Sequence, residues 1–204
     1  GNHGDHTPVV RIGLRYVKGV RKAAIKEMVV AREKSEFASM DDFLRRTDFT
    51  AAERRALAAV GALDALATHR RAALWEVEAA WSDDEALFKQ FSEAYRDEAP
   101  LAAMTQTEEL RADFAGLGLT TEEHPMALLR SRLKDVTPAN ELKTALNGLS
   151  VTIAGSVICR QRPGTAKGFV FISLEDETGC ANAVVIPPLF EKMRLIITQE
   201  SALR

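Results

Sequence analysis

Two cysteines are all that the 204 residues contain, and that scarcity sets aside several classes of protein. Cys159 and Cys180 cannot supply a four-ligand zinc site. In a chain of this size they read as free thiols of a reducing compartment, small core-type side chains rather than reactive ones. No apolar run approaches the length of a membrane span and no secretory pattern opens the chain, so a cytoplasmic location without a membrane partner is expected. The net charge is only −2; no global field announces nucleic acid, and such a role must rest on local patches. Also missing is a cluster of carboxylates of the kind that holds metal ions over a triphosphate. The acids fall on apparent helical surfaces and turns, which leaves no candidate catalytic residue, metal ligand or cofactor site. His3 and His6 have no partner ligands after them, and residues 1–10 read as a flexible lead-in.

What is present is ordinary in bulk and uneven in detail. A hydrophobic content of 46% with 27% charged residues suits a globular protein of two modest domains. From Arg11 to Lys34 eight basic residues face only Glu27 and Glu33, whereas from Glu76 to Glu98 eight acids face only Lys89 and Arg96. Between Glu141 and Glu175 no acid occurs, while Lys143, Arg160, Arg162 and Lys167 all do. That second basic region joins a loop punctuated by Pro163, Gly164 and Gly168 to an apolar run, Phe169 to Leu174, that suits a strand. Asp176-Glu177-Thr178-Gly179 then turns the chain. A field of one sign beside a β surface suits a phosphate backbone, and a solvated basic loop would carry the same charges.

The wording RQRPGTAKGFVFISLEDETG, from Arg160 to Gly179, resembles the opening strands of the OB-fold domain near the C-terminus of bacterial C-family DNA polymerases, the polymerase III α-subunit group. Its PGTAKG loop is closer to the error-prone, damage-inducible branch than to the replicative one. Upstream, Tyr16 to Ile25 takes helical spacing with Gly19 as a hinge, and Val17, Val20, Ala24, Met28 and Ala31 can share one face. This resembles a helix-hairpin-helix element, which offers backbone N–H groups at a helix start to a phosphate. The family pattern carries a second glycine where this chain has Arg21, a basic residue that again resembles the error-prone branch. An ordinary helical turn in a core is the other reading of that segment. Residues 11–75 resemble the family's helical region, with Ser39 as an N-cap and Thr50 opening a capping box with Glu53.

Trp75, Trp81, Leu87, Phe88, Phe91 and Tyr95 read as packing anchors of an acidic middle. In replicative relatives a segment near here begins with Gln and docks into the sliding clamp. Asp84 stands in that place, so clamp binding through Leu87-Phe88 is not expected. A helix is expected from Met104 to about Ala115, and His124-Pro125 resembles the linker into the OB domain, His124 as a structural cap. Strands are expected at Leu149–Ile158 with Gly155 a bulge, at Phe169–Leu174 and at Ala183–Ile186, followed by a short helix from Leu189 to Met193. Parity puts Phe169 and Phe171 on one face and Val170, Ile172 and Leu174 on the other. An aliphatic core would make the two phenylalanines stacking platforms; the reverse would make them core.

These readings give an α+β class: a helix-hairpin-helix region at 11–75, a helical acidic middle and linker at 76–136, and an OB-fold β-barrel at 137–204. With the chain stopping at Arg204 the barrel is expected to be incomplete, its open edge bare or covered by another copy. The resemblance implies a non-catalytic, DNA-binding fragment of an error-prone polymerase acting in translesion synthesis, in the company of other proteins of such a complex. Lys18, Gly19, Val20, Arg21 and Lys22 would hold duplex phosphates. Arg160, Arg162, Lys167, Phe169 and Phe171 would hold single-stranded template. An equivalent fragment of a replicative α-subunit, or a stand-alone protein-interaction module with a structural OB domain, are the competing readings.

Overall fold

Short polar caps cut the first part of the chain into helices. The computed structural model describes residues 11–82 and 101–204 and falls into two units that divide between Thr121 and Glu122. In the first, a 3-10 turn at Leu14–Tyr16 leads through a tight bend to helix α1, Lys22–Lys34. Helices α2 (Met40–Arg46), α3 (Ala51–Ala59), α4 (Arg70–Ser82) and α5 (Gln106–Gly116) follow. Ser39 caps α2 by accepting from Asp42 N–H, and Thr50 with Glu53 and Thr105 with Glu108 form capping boxes on α3 and α5. Each such cap satisfies amides that would otherwise be orphaned, worth about 1 kcal/mol. His69 Nδ1 accepts from Ala72 N–H at the start of α4.

The expected helical run from Tyr16 is interrupted: continuous helix begins only at Lys22, because the backbone turns through Gly19 at φ +80°. The expected apolar face nonetheless packs inward. Val17, Ala24 and Met28 are buried with Phe43, Phe49, Leu57, Val60 and Val77, and Val20 leans on the same core. Phe43 meets Phe37 edge-on at 5.3 Å and stacks on Phe49 at 5.8 Å. Across α4 and α5, Arg70 and Asp113 form a buried ion pair at 2.7 Å. Gly116 lets α5 approach the end of α3 so closely that a Cβ would lie 2.3 Å from Val60 Cγ1. Leu87, Phe88, Phe91 and Tyr95, with the question of the clamp segment, lie outside the described residues.

The second unit opens with α6, Pro125–Arg130, capped by His124 Nδ1, which accepts from Met126 N–H. A 3-10 turn at Ala139–Lys143 leads to strands β1 (Gly155–Gln161), β2 (Val170–Asp176) and β3 (Gly179–Val185). Helix α7 (Pro187–Gln199), kinked at Met193, then returns the chain to β4 (Ala202–Leu203). The sheet order is β3-β2-β1-β4, antiparallel throughout. A three-strand meander, a helix and a strand returning beside β1 make an antiparallel half-barrel, so the fold is α+β with an incomplete OB-like barrel after a helical hairpin region. Sequence reading began the barrel region at 137. Here α6 goes with the sheet, because Arg130 pairs with Asp176 at 2.8 Å and with Glu177 at 2.6 Å.

Several expected features move. The first strand starts at Gly155, which is no bulge: a Cβ there would stand 2.7 Å from the Glu175 carbonyl oxygen, so glycine serves the close approach of β2. The bulge falls at Ile158, between Val157 and Cys159. The third strand starts four residues earlier than Ala183, directly after the Asp176–Gly179 turn, and the last helix extends to Gln199. Cys180, expected to be core-type, is exposed. The aliphatic face of β2 is the core, with Val170, Ile172 and Leu174 against Val185, Phe190 and Ile197.

Candidate nucleic-acid interface

Gly19 makes the hairpin. Nothing lies within 4 Å of where its Cβ would stand, so backbone conformation rather than space selects glycine. Buried Val17 before it and half-buried Val20 after it pin the bend from both sides. Arg21 is the N-cap of α1 in extended backbone, φ −67° and ψ 131°, with no side chain capping the helix and no acid in its first turn. The first intrahelical bond of α1 runs from Ile25 N–H to the Arg21 carbonyl at 3.2 Å. The amides of Lys22, Ala23 and Ala24 therefore head a helix end of partial positive charge, the arrangement that receives an anion.

Two of the hairpin cations, though exposed, are engaged within the fold. Lys18 donates from Nζ to the Ala115 carbonyl at 3.1 Å and from its backbone to the Gly116 carbonyl at 2.8 Å. These are the last carbonyls of α5, where a positive charge is favoured. Arg21 is bound to Glu53, Nε to Oε1 at 2.8 Å and Nη2 to Oε2 at 3.0 Å, and reaches the Asp48 carbonyl at 2.6 Å. The guanidinium, helped by the Thr50 and Arg21 amides, holds the Glu53 carboxyl down at about 2 although burial pushes it the other way. Lys22 is exposed as well, and its side chain makes no hydrogen bond or ion pair among the described residues.

In the second unit the ladder decides which side chains face out. Arg160 stands opposite Ile172, while Gln161 stands opposite Phe171, which in turn stands opposite Val184. Directly opposed residues share a face. Ile172 is 4% exposed and Phe171 40%, so Gln161, Phe171 and Val184 form an outward row and Arg160 lies on the α7 side. There Arg160 donates to the carbonyls of Ile197, at 2.6 Å, and Glu200, closing the end of α7. Arg162 lays its guanidinium over the Phe190 ring at 4.4 Å, with Glu191 at 3.7 Å. Phe169 is half-buried just ahead of β2. Lys167, in left-handed backbone at φ 49°, is exposed in the 162–169 loop with no hydrogen bond or ion pair among the described residues.

Of the six cations read as DNA contacts, Lys22 and Lys167 have no side-chain partner among the described residues; Lys18, Arg21, Arg160 and Arg162, though exposed, are each engaged within the fold. The loop between the first two strands and the outward face of strands two and three are where OB folds take oligonucleotides, and Lys167, Phe171 and Val184 occupy those places. Sequence reasoning missed Glu53, read only as a cap, and Gln161 and Val184, whose facing depends on the bulge and the strand ends. Among the described residues no three or more His, Cys, Asp or Glu side chains gather as a metal site, and no helix is long and apolar enough to cross a membrane.

Residues 3–73 match the family model described as "Helix-hairpin-helix motif". The error-prone DNA polymerase of Aromatoleum aromaticum is 42% identical over 189 residues, 92% of this chain and 18% of that protein. Those of Ralstonia nicotianae, 42% over 193 residues, and an Azoarcus species, 43% over 191, each cover 92% of the chain and 18% of the relative. The chain resembles the hairpin-bearing C-terminal region of error-prone DNA polymerases. It spans less than a fifth of the length of these curated relatives. Their name agrees with the PGTAKG loop and with Arg21 in the hairpin, two of the features that favoured the error-prone branch in the sequence, the third being the clamp segment with Asp84 in place of Gln.

Proposed function

We propose that this chain is the DNA-positioning part of an error-prone, DNA-directed DNA polymerase, acting in the cytoplasm in synthesis across damaged template, with the polymerase chemistry elsewhere in the parent. The similarity that covers both hairpin and sheet, 42% over 92% of the chain, carries this reading. The hairpin, through the Gly19 bend and the free amides heading α1, holds duplex phosphates without regard to sequence. Lys22 adds a long-range positive charge. The outward face of the half-barrel holds single-stranded template, with Lys167 on its backbone and Phe171 under a base.

Fluorescence anisotropy of the chain with labelled single-stranded and primed DNA across a salt series tests the reading. Binding that weakens with salt is expected for both ligands. Absence of binding at low salt would overturn it and favour a protein-interaction module.

A further inference from the structure

Glu53 does more than cap a helix. Its Oε2 accepts from Thr50 N–H at 2.8 Å, closing the capping box of α3, and its Oε1 accepts from the backbone N–H of Arg21, also at 2.8 Å. Both oxygens take the Arg21 guanidinium besides. One carboxylate, 3% exposed, thus joins the start of α3 to the N-cap residue of α1, 32 positions away in sequence. The Arg21 bond to the Asp48 carbonyl fastens the same arginine to the loop ahead of α3. A glycine at this position would bring no tether. An arginine in extended backbone brings one without strain.

From this geometry we infer that Glu53 is a positioning residue for DNA binding: through Arg21 it fixes the hairpin and the first turn of α1 in the arrangement that receives a phosphate. The inference rests on the hairpin reading given above. A buried carboxylate cannot itself touch DNA, and its charge repels a phosphate. Its benefit runs through Arg21, by ordering amides before binding so that the cost of ordering them is not met on association. Electrostatics and positioning therefore make opposite predictions for removing the charge.

The test uses the full chain, primed duplex DNA and anisotropy across salt, with hydrogen exchange at Arg21 and Ile25, the hydrogen-bonded amides of the hairpin and the first turn. Glu53→Gln keeps one carbonyl oxygen, enough to accept from the Thr50 amide and keep α3 capped, and sets an NH2 donor against the Arg21 amide and guanidinium; Arg21→Ala removes the tether from the other end. Each is expected to weaken binding roughly tenfold, to leave the slope of log affinity against log salt unchanged, and to speed exchange at Arg21 and Ile25 while sparing α4 and α5. Arg21→Lys recovers only part, because one ammonium does not span two carboxylate oxygens. Glu53→Gln binding as tightly as the parent, or tighter, overturns the inference. So does a slope reduced by about one in Arg21→Ala, which would make Arg21 a phosphate contact itself. A parent chain that does not bind DNA sinks the hairpin reading and this inference with it, a result visible before any variant is made.

Discussion

Arg160 stands directly opposite Ile172 in the β1–β2 ladder, and that pairing turns a cation of the basic loop region into a brace for the last helix. Its guanidinium closes the carbonyl end of α7 through Ile197 and Glu200. Lys167, seven residues on, has no such duty. Arg160→Ala is therefore expected to lower the stability of the chain by about 1–2 kcal/mol in urea unfolding while leaving the salt slope of single-strand binding intact. Lys167→Ala should do the reverse, reducing the slope by about one with no change in the urea midpoint. An Arg160→Ala chain of parental stability that loses slope would mean that the arginine leaves α7 to reach DNA.

Arg70 and Asp113 test the helical unit in the same spirit. They meet at 2.7 Å with side chains 4% and 0% exposed, and Asp113 also accepts from the Thr120 hydroxyl at 3.1 Å and the Thr121 amide at 3.3 Å. Asp113→Ala leaves the buried Arg70 guanidinium with only the half-exposed Asp64 at 3.6 Å and the Glu109 carbonyl at 3.4 Å, and is expected to cost about 3 kcal/mol. Replacing both, Arg70→Met with Asp113→Leu, is expected to cost far less, since no uncompensated charge remains. Urea denaturation of the single and the double variant measures the difference; equal losses would show that the pair contributes through packing rather than charge.

Acid should act on both units through depressed carboxyls. Burial raises the Asp176 pKa, but the Thr178 hydroxyl and amide, the Ala139 amide and Arg130 outweigh it and hold the group at about 2. Glu53 sits at about 2 through Arg21. A folded-state pKa below the unfolded value, about 4 for such groups, gives stability that is complete above pH 5 or so and is lost as pH falls toward 2. Thermal melts are expected to be flat from pH 7 to 5 and to fall steeply below 4, and Asp176→Asn should soften that fall. A melting temperature that rose on acidification would contradict the assignment of these groups.

The parts legible in the sequence were those set by local chemistry. Ser39, Thr50 and His124 were visible as caps because a polar residue before an apolar run has few other uses, and the parity of Val170, Ile172 and Leu174 showed one consistent face for β2. What stayed hidden depended on partners far along the chain. Nothing near Arg21 signals that Glu53 lies beside it, and nothing near Arg160 signals that α7 ends there; both arginines looked available because charge counts cannot see who neutralises whom. The bulge at Ile158 was equally invisible, as no glycine marks it, and Gly155 drew the reading instead.

Phe171 offers the sharpest separation of the two elements proposed to bind DNA. Its ring is 40% exposed in a row with Gln161 and Val184, while Val170 and Ile172 on either side keep β2 seated in the core at 3% and 4% exposure. Phe171→Ala therefore removes a surface ring and leaves the core unchanged, so little stability should be lost. A base stacked on that ring is worth about 1–3 kcal/mol, and the variant is expected to bind single-stranded DNA some tenfold more weakly, with an unchanged salt slope because no phosphate contact goes. Affinity for blunt duplex should stay put, since stacked and paired bases offer it no exposed face. Lys22→Ala gives the complement: weaker duplex binding with a slope reduced by about one and no change on single strands. If Phe171→Ala weakened both ligands equally, the half-barrel and the hairpin would have to engage one common strand. If it weakened neither, the outward row would be a surface for protein, and the template would have to lie elsewhere.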